Sequence, residues 1–198
     1  MDLGINGRAA LVAASSAGLG YATAKALAES GCKTVISGRN EERLHKAAET
    51  IPNAIPIIGD VSTVEGSIQL VKQANDALGS SIEILVTNAG GPPPGTFETT
   101  EIDQYLAALE LNLMSIVAMT KETVPEMQKK GWGRVLAITS ISVRQPIPNI
   151  MLSNTARAGA TGFLKTLALE VAQNNVTVNS IQPGFHATDR VRQTYGDE

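Results

Sequence analysis

Short runs of β-branched and aliphatic residues alternate along the chain with longer stretches in which apolar residues recur at helical spacing. The short runs predict six strands, at residues 9–13, 34–37, 55–58, 82–87, 134–139 and 176–181. The longer stretches predict helices at residues 21–30, 41–51, 65–78, 101–130 and 153–173, the fourth of them in two pieces. Strands that alternate with helices, without an internal repeat, predict a doubly wound parallel sheet of the Rossmann type with three αβα layers. Such a fold binds its ligands at the carboxyl ends of the strands.

Residues with strong capping preferences mark the helix boundaries. Asn40 is a good N-cap for the second helix, and Ser62 with Glu65 predicts a capping box before the third. Gly31 and Gly79 follow helical stretches and predict their ends.

Composition narrows the class of protein. The 198 residues fit one domain, residues 1–198, and the low aromatic content of 4% predicts a core of Ala, Val, Ile and Leu. A net charge of −3 argues against a nucleic-acid partner. No apolar stretch approaches the about 18 residues of a membrane span, so we expect a cytoplasmic protein without a membrane partner. The single cysteine, Cys32, precedes a strand and predicts a buried, inert thiol.

A glycine-containing loop, Ala13–Gly20, lies between the first strand and the first helix. Unpaired amides and the helix dipole at such a position favour a pyrophosphate group, so the loop predicts a dinucleotide site. Gly18 and Gly20 could alternatively serve only as turn and packing glycines. The residues expected to contact the cofactor are Ala14, Ser15, Ser16, Gly18, Leu19 and Gly20.

The end of the second strand predicts which dinucleotide binds. It reads Ser37-Gly38-Arg39-Asn40, without the carboxylate that commonly holds the adenosine ribose. The Arg39 guanidinium can pair with a 2′-phosphate, which predicts NADP(H) in preference to NAD(H), with Ser37 and Asn40 beside it. A solvated loop arginine is the alternative.

Five further motifs occur after successive strands or in the long helical stretch. They are Asp60-Val61, Asn88-Ala89-Gly90-Gly91, Asn112, Ser140 and Pro183-Gly184. Together with the glycine loop they resemble the short-chain dehydrogenase/reductase (SDR) family over nearly the whole chain, most of all its 3-oxoacyl-[acyl-carrier-protein] reductase branch and atypical relatives.

The resemblance assigns roles at the cofactor. It places Asp60 and Val61 at the adenine ring, and Asn88, Ala89 and Gly90 between the cofactor and the central sheet. Pro183, Gly184 and Thr188 belong to the nicotinamide end. Taken singly, Asp60 could be a loop cap and the Asn88 segment a simple turn.

The catalytic pattern of the family is altered here. The resemblance implies a serine that polarises the carbonyl, a tyrosine thirteen residues later that passes the proton, a lysine one helical turn beyond, and an asparagine. In this chain those positions carry Ser140, Ser153, Arg157 and Asn112. Spacing of four keeps Ser153 and Arg157 on one helix face, where Arg157 can still donate to the cofactor ribose.

The replaced residues affect proton transfer, because an alkyl hydroxyl is a far weaker acid than a phenol. The proton could come through water from Ser140 or Ser153, or from His186, and Ser142 is a weaker substitute for Ser140. Ala13 and Ala14 replace the family's usual threonine and glycine, so we expect a shifted loop geometry. No HExxH, CxxC or Gly-x-Ser-x-Gly sequence occurs, so no metal is expected.

Two functions remain open. One is an NADP(H)-dependent oxidoreductase that transfers a hydride between nicotinamide and a small carbonyl or secondary alcohol substrate. The other is a catalytically silent NADP(H)-binding protein that acts as a sensor or oligomer partner. By resemblance we expect a homodimer or homotetramer, formed by the helices around Asn112 and Ser153, and a monomer with ordinary surface helices is the alternative.

The resemblance also carries an expectation about the carboxyl-terminal end. Family members continue into a substrate lid and a seventh strand, so we expect the chain to be truncated after six strands. The sixth strand should then form an exposed edge. A lid could supply the missing acid, and Tyr195 is a residue of interest in that region.

Overall fold

A computed structural model of the chain describes residues 2–188 and 191–192, so the sequence candidate Tyr195 lies outside the described residues. The six predicted strands are confirmed: β1 Ala9–Val12, β2 Lys33–Gly38, β3 Ile55–Ile58, β4 Ile84–Thr87, β5 Gly133–Ile138 and β6 Val176–Ile181. They form one sheet in the order β3-β2-β1-β4-β5-β6, and every neighbouring pair is parallel. The order reverses between β1 and β4, which confirms the doubly wound topology and opens a crevice there.

The predicted helices are also present. They are α1 Gly18–Glu29, α2 Glu41–Glu49, α3 Val64–Leu78, α4 Ile102–Leu109, α5 Ser115–Lys130 and α6 Met151–Val171. The stretch predicted as two helical pieces is α4 and α5, joined without a break by a π-helical turn at Glu110–Met114. The predicted capping box at Ser62 and Glu65 is wrong. The N-cap of α3 is Thr63, whose side chain accepts a hydrogen bond from the Gly66 amide at 3.0 Å, because the helix begins one residue later than the box requires.

Two apolar layers enclose the sheet. Alternate strand residues point to opposite faces, so Leu11 packs with α3 and α5 while Val12 packs with α1 and α2. A smaller cluster joins α5 and α6 to β5 through Ile116, Ala137 and Leu164. Asn40 caps α2 as predicted, since its side chain accepts from the Arg43 amide at 2.8 Å. These contacts hold the strand ends, and the loops that follow them, in fixed positions.

In the described sheet β6 is an edge strand beside β5. Its residues Thr177, Asn179 and Ile181 are exposed, while Val176 is buried. These exposed side chains lie on the face of the sheet that α1 and α2 cover near β1 and β2. In the described sheet β6 is therefore an exposed edge strand, as expected.

A polar cluster closes the opposite end of the sheet, where β1, β4 and β5 begin. The Trp132 ring lies between two guanidinium groups, with Arg8 at 4.0 Å and Arg134 at 4.3 Å from its centroid. Arg8 Nη1 is 2.6 Å from Oε1 of Glu83, and the Ala9 amide donates to Glu83 Oε2 at 3.2 Å. Cys32 is buried nearby as predicted, and burial, followed by the charge of Glu83, raises the pKa of its thiol.

Candidate active site

A cleft of about 520 Å³ lies at the carboxyl ends of the strands. Its walls come from the glycine loop, the loops after β2 to β6 and the first turns of α6. Of the sequence-predicted residues, the structure brings together Ala14, Ser16, Gly18, Leu19, Arg39, Asp60, Val61, Asn88, Ala89, Gly90, Ser140, Ser153, Arg157, Pro183, Gly184 and Thr188.

The glycine loop is folded tightly against β4. Asn88 Nδ2 donates to the Ala14 carbonyl at 2.9 Å. A Cβ on Gly20 would lie 2.7 Å from both of those atoms, so only glycine fits at that position. Ala17, the N-cap of α1, makes no side-chain capping bond, which leaves the first amides of the helix for a ligand. A backbone cradle at a helix N-terminus suits a diphosphate, so the loop fits the cofactor that its sequence predicts.

The loop differs from a glycine-only turn at one position. Ala14 has φ +46°, in the left-handed region that residues with a Cβ rarely adopt. The Ser37 hydroxyl holds this conformation, since it accepts from the Ala14 amide at 3.0 Å. The loop therefore contains a strained alanine, and the expected shift in loop geometry stays a prediction.

Ser15 and Ser37 stand behind the loop and do not line the cleft. Ser15 is fully buried, donating to the Val12 carbonyl at 2.7 Å and accepting from the Ser37 amide at 3.0 Å. The two serines thus join the ends of β1 and β2 and support the loop. Gly20 and Asn40 are likewise packing and capping residues that the cleft surface does not include.

Two arginines line the end of the cleft beyond β2 and β3, where the sequence analysis expects the adenosine of the cofactor. Arg39 follows β2, and its Nη1 lies 3.9 Å from Oδ2 of Asp60, in an exposed pair that contributes little to stability. Asp60 Oδ1 also accepts from the Ser62 amide at 2.9 Å, so it is a loop cap as well as a cleft residue. Arg43, which the sequence analysis missed, lines the same end and donates from Nε to Ser16 Oγ at 3.2 Å. Its spacing of four from Arg39 across the Asn40 cap was the available signal.

At the other end, Ser140 follows β5 and begins a short 3-10 turn. Its Oγ accepts from the Ser142 amide at 3.1 Å, which fixes the side chain at the mouth of β5. Ser142 itself is buried and does not line the cleft, so it cannot replace Ser140 as a group facing a ligand.

Ser153 and Arg157 occupy successive turns of α6 and face the cleft together. Arg157 is 8% exposed, donating from Nε to Ser153 Oγ at 3.2 Å and from Nη1 to the Ile138 carbonyl at 3.1 Å. The second bond anchors the guanidinium to the end of β5. The structure therefore brings Ser140, Ser153 and Arg157 to one cleft, as the family resemblance implies.

Asn112 lies behind the cleft wall. Its Nδ2 donates to the Gly90 carbonyl at 3.0 Å, and it sits in the π-helical turn between α4 and α5. Its Oδ1 is buried without a hydrogen-bond partner among the described residues. The geometry makes Asn112 a support for the Gly90 loop.

The segment after β6 closes the cleft beside Ser140. The Pro183 carbonyl accepts from the Ile141 amide at 3.1 Å, which ties this segment to the 3-10 turn after Ser140. The Thr188 side chain reaches the glycine loop, because a Cβ on Gly18 would lie 3.6 Å from it. His186 is exposed and does not line the cleft.

The sequence analysis also missed the apolar part of the cleft, whose residues lie in loops without periodic pattern. These residues are Ile141, Ile147, Ile150 and Phe185. Within the described part of the chain, no cluster of three His, Cys, Asp or Glu side chains could hold a metal ion. No helix among the described residues is long and apolar enough to cross a membrane.

Comparisons with known proteins agree with this fold. The short chain dehydrogenase family profile matches residues 8–198. The chain is 36% identical over 190 residues to a 3-oxoacyl-[acyl-carrier-protein] reductase of Synechocystis, covering 93% of this chain and 76% of that one. It superposes with a TM-score of 0.88 on L-sorbose reductase from Gluconobacter frateurii in complex with NADPH and L-sorbose, at 32% identity, covering 96% of this chain and 73% of that chain. A 7α-hydroxysteroid dehydrogenase complexed with NADH and 7-oxo glycochenodeoxycholic acid gives a TM-score of 0.89 at 28% identity, covering 96% and 75%.

Proposed function

The chain belongs to the short-chain dehydrogenase/reductase family of oxidoreductases, and on that premise we propose that it is an NADP(H)-dependent reductase of carbonyl compounds. The observation that carries the proposal is the pair of hydroxyls at Ser140 and Ser153. Each oxygen accepts a hydrogen bond from an N–H group, the first from Ser142 and the second from Arg157. Each hydroxyl hydrogen is thereby left to donate to an acceptor in the cleft.

The cleft has separate places for the parts of the cofactor. The α1 amides and Gly18 would hold the diphosphate, and Arg39 and Arg43 the 2′-phosphate. Arg157 would donate to the nicotinamide ribose. When bound, NADPH supplies the hydride for the reduction. Two arginines at the adenosine end favour NADP(H) over NAD(H), because they can neutralise the additional phosphate.

The protein's part in the reaction is electrostatic. The Ser140 and Ser153 hydroxyls would donate to the substrate carbonyl oxygen, and the Arg157 charge would stabilise the alkoxide that forms there. The final proton would come from water, because an alkyl hydroxyl does not ionise near neutral pH. Asn112 would hold the Gly90 loop in place rather than contact the substrate.

The proposal is tested by following NADPH absorbance with the full chain and a panel of ketones, 3-oxoacyl thioesters and quinones. We expect NADPH oxidation with at least one ketone, and a loss of about 10²-fold or more in kcat for Ser140→Ala. A protein that binds NADPH but oxidises none of it with any of these substrates contradicts the enzymatic function.

That result would favour a second candidate, a silent NADP(H)-binding protein that acts as a sensor or oligomer partner. The observation behind this candidate is the presence of Ser153 and Arg157 where the family has its proton-transferring pair. Both candidates require NADP(H) binding, so only turnover separates them.

An exposed apolar surface supports self-association. Phe97, Ile102 and Leu106 are 79%, 80% and 67% exposed, the latter two on one face of α4. We expect this face to take part in a homodimer or homotetramer. Light scattering would show a mass at least twice that of the chain, and Leu106→Glu should lower it.

A further inference from the structure

The walls of the cleft differ in polarity from one end to the other. The charged side chains Arg39, Arg43 and Asp60 belong to the adenosine end, beyond β2 and β3. The apolar residues Ile141, Ile147, Ile150 and Phe185 line the cleft on the segments that adjoin Ser140, Ser153 and Pro183, and the hydroxyl residues Thr139 and Thr188 also belong to the lining. Among the lining residues that the structure describes, Arg157 is the remaining charged one, and its Nε and Nη1 donate to Ser153 and to the Ile138 carbonyl. A substrate at the two serines would therefore contact mainly hydrocarbon.

One side chain of α6 holds Ile147, a residue of this apolar lining. Asn154, the neighbour of Ser153 on α6, donates from Nδ2 to the Ile147 carbonyl at 2.8 Å. Its Oδ1 accepts from the Ile147 amide at 3.5 Å. Both polar groups of the Ile147 backbone are thus held by a residue adjacent to the proposed catalytic serine.

A second attachment holds Ile150. Gly95 forms a short parallel bridge with Ile150, in which the Gly95 amide donates to the Asn149 carbonyl at 2.9 Å and the Met151 amide donates to the Gly95 carbonyl at 3.2 Å. A Cβ on Gly95 would lie 2.6 Å from Thr100 Oγ1, so a larger residue would disturb the bridge. Ile147 and Ile150, which together form the isoleucine wall of the cleft, are therefore held in place before any substrate binds.

We propose that the substrate is an uncharged, lipophilic carbonyl compound, and that Asn154 is a positioning residue that sets this specificity by holding Ile147. The inference rests on the proposed reductase function. Moving a carboxylate against hydrocarbon costs its hydration, and a polyhydroxylated ketone would leave hydroxyl groups without partners on this wall. An alkyl chain gains from the same surface, because it removes apolar area from water.

A matched pair of ketones isolates the effect of charge. Methyl 5-oxodecanoate and 5-oxodecanoate share a carbon chain and differ by an ester or a carboxylate, and L-sorbose serves as a polyhydroxylated ketone. Calorimetric titration into the NADP⁺-loaded full chain measures binding, and NADPH oxidation measures kcat/KM. We expect the ester to bind at least about tenfold more tightly than the carboxylate, with L-sorbose weaker than the ester, and kcat/KM to follow the same order.

The outcomes separate this inference from the function on which it rests. Equal or tighter binding of the carboxylate or of L-sorbose overturns the inference, whether or not the protein turns over. Tighter binding of the ester without NADPH oxidation supports the inference while removing the reductase function.

Variants test the role of Asn154. Asn154→Ala should raise KM for the ester several-fold with little change in kcat, and Ile147→Ala should do the same. Because Asn154 acts through Ile147, the KM of the double variant should be no higher than that of the more impaired single variant. Thr155→Ala, on an exposed position of the same turn, is the control. An Asn154→Ala protein with unchanged KM for the ester, or with effects that add to those of Ile147→Ala, overturns the positioning role.

Discussion

Arg157 and Ser153 form one hydrogen-bonded unit, with Nε and Oγ 3.2 Å apart on successive turns of α6. The guanidinium is also bonded to the Ile138 carbonyl at 3.1 Å, so its plane is fixed relative to β5. A planar fork with two directed donors orients the serine in a way that an ammonium group on a flexible stem does not reproduce. Substitution of either residue should therefore remove the catalytic contribution of both.

Arg157→Lys and Ser153→Ala should each lower kcat/KM by about 10²-fold, the typical loss when one donor to a developing oxyanion is removed. The double variant should lose little more than the poorer single variant. Steady-state kinetics with NADPH measure these values, and Thr166→Ala on the exposed side of α6 is the control. Fully additive losses would show that the two residues act independently.

The pH dependence of the reaction should be weak. The residues that line the described part of the cleft include no histidine, cysteine, lysine or tyrosine, and serine and arginine side chains do not change charge between about pH 6 and pH 9. We expect kcat/KM to be nearly constant over that range. The S153Y/R157K double variant restores a phenol beside an ammonium and should introduce a pH-dependent step. If the kcat/KM of the wild-type protein falls as pH rises, and His186→Ala abolishes that fall, His186 would instead be the proton donor.

Arg39 and Arg43 should determine the preference between dinucleotides. A charge-assisted bond to phosphate contributes about 1.5–3 kcal/mol, so Arg43→Ala and Arg39→Asp should each weaken NADPH binding by at least about tenfold and leave NADH binding nearly unchanged. Parallel titrations of the two cofactors measure this. Lys46→Ala, which removes an exposed charge paired with Glu42 on the same helix, is the control. Equal weakening of both cofactors by Arg43→Ala would show that its role is to support Ser16 alone.

Ala14→Gly should stabilise the protein. A left-handed alanine costs about 1–2 kcal/mol, and the greater freedom of glycine in the unfolded chain cancels about 0.5–1 kcal/mol of the gain. A net gain of about 0.5–1 kcal/mol should raise Tm by about 1–4 °C. Ala13→Gly is the matched control, because residue 13 has no positive φ and the substitution should lower Tm. A lower Tm for Ala14→Gly would show that the methyl group contributes packing that exceeds its strain.

Glu83 should make folding stability depend on acid. Burial raises its pKa, but the Ala9 amide, the hydrogen bond and charge of Arg8, and the charge of Lys130 together outweigh burial and hold the pKa below its usual range. The lowered pKa contributes stability that is complete above the pKa of the unfolded chain and is lost as pH falls through the folded value. Glu83→Gln should therefore lower stability at neutral pH and flatten its decline below about pH 4.5. Urea unfolding at several pH values tests this, with the exposed Glu98→Gln as control, and an unchanged acid slope would contradict it.

Sequence patterns predicted the sheet well because parallel strands here are continuous apolar runs, such as Ala9–Val12, and because glycine and asparagine mark the ends of neighbouring helices. The family resemblance located Ser140, Ser153 and Arg157, and a spacing of four placed Ser153 and Arg157 on one helix face. Ser15 shows where prediction from sequence patterns stops, because no pattern distinguishes it from Ser16. Adjacent loop residues face opposite ways, and only the backbone reveals that Ser16 lines the cleft while Ser15 joins two strands.

Long-range contacts explain the remaining omissions. Arg43 lines the cleft, where its side chain contacts Ser16, a residue 27 positions away in the sequence. The isoleucine wall depends on the Asn154 bonds and on the Gly95 bridge, which join segments far apart in the chain. The Thr63 cap differs from the predicted Ser62 because neighbouring hydroxyl residues are equally suited to capping, and tertiary packing chooses where α3 begins.

Trp132, with the guanidinium groups of Arg8 and Arg134 over its ring, lies at the end of the sheet opposite the cleft. Trp132 is the single tryptophan of the sequence and sits where the strands start, whereas ligands enter where the strands finish. Its emission should therefore follow unfolding of the central sheet. One optical signal can rank the stability of all these variants in the absence of reduced dinucleotide, and energy transfer from this residue to bound NADPH can report binding in a separate titration.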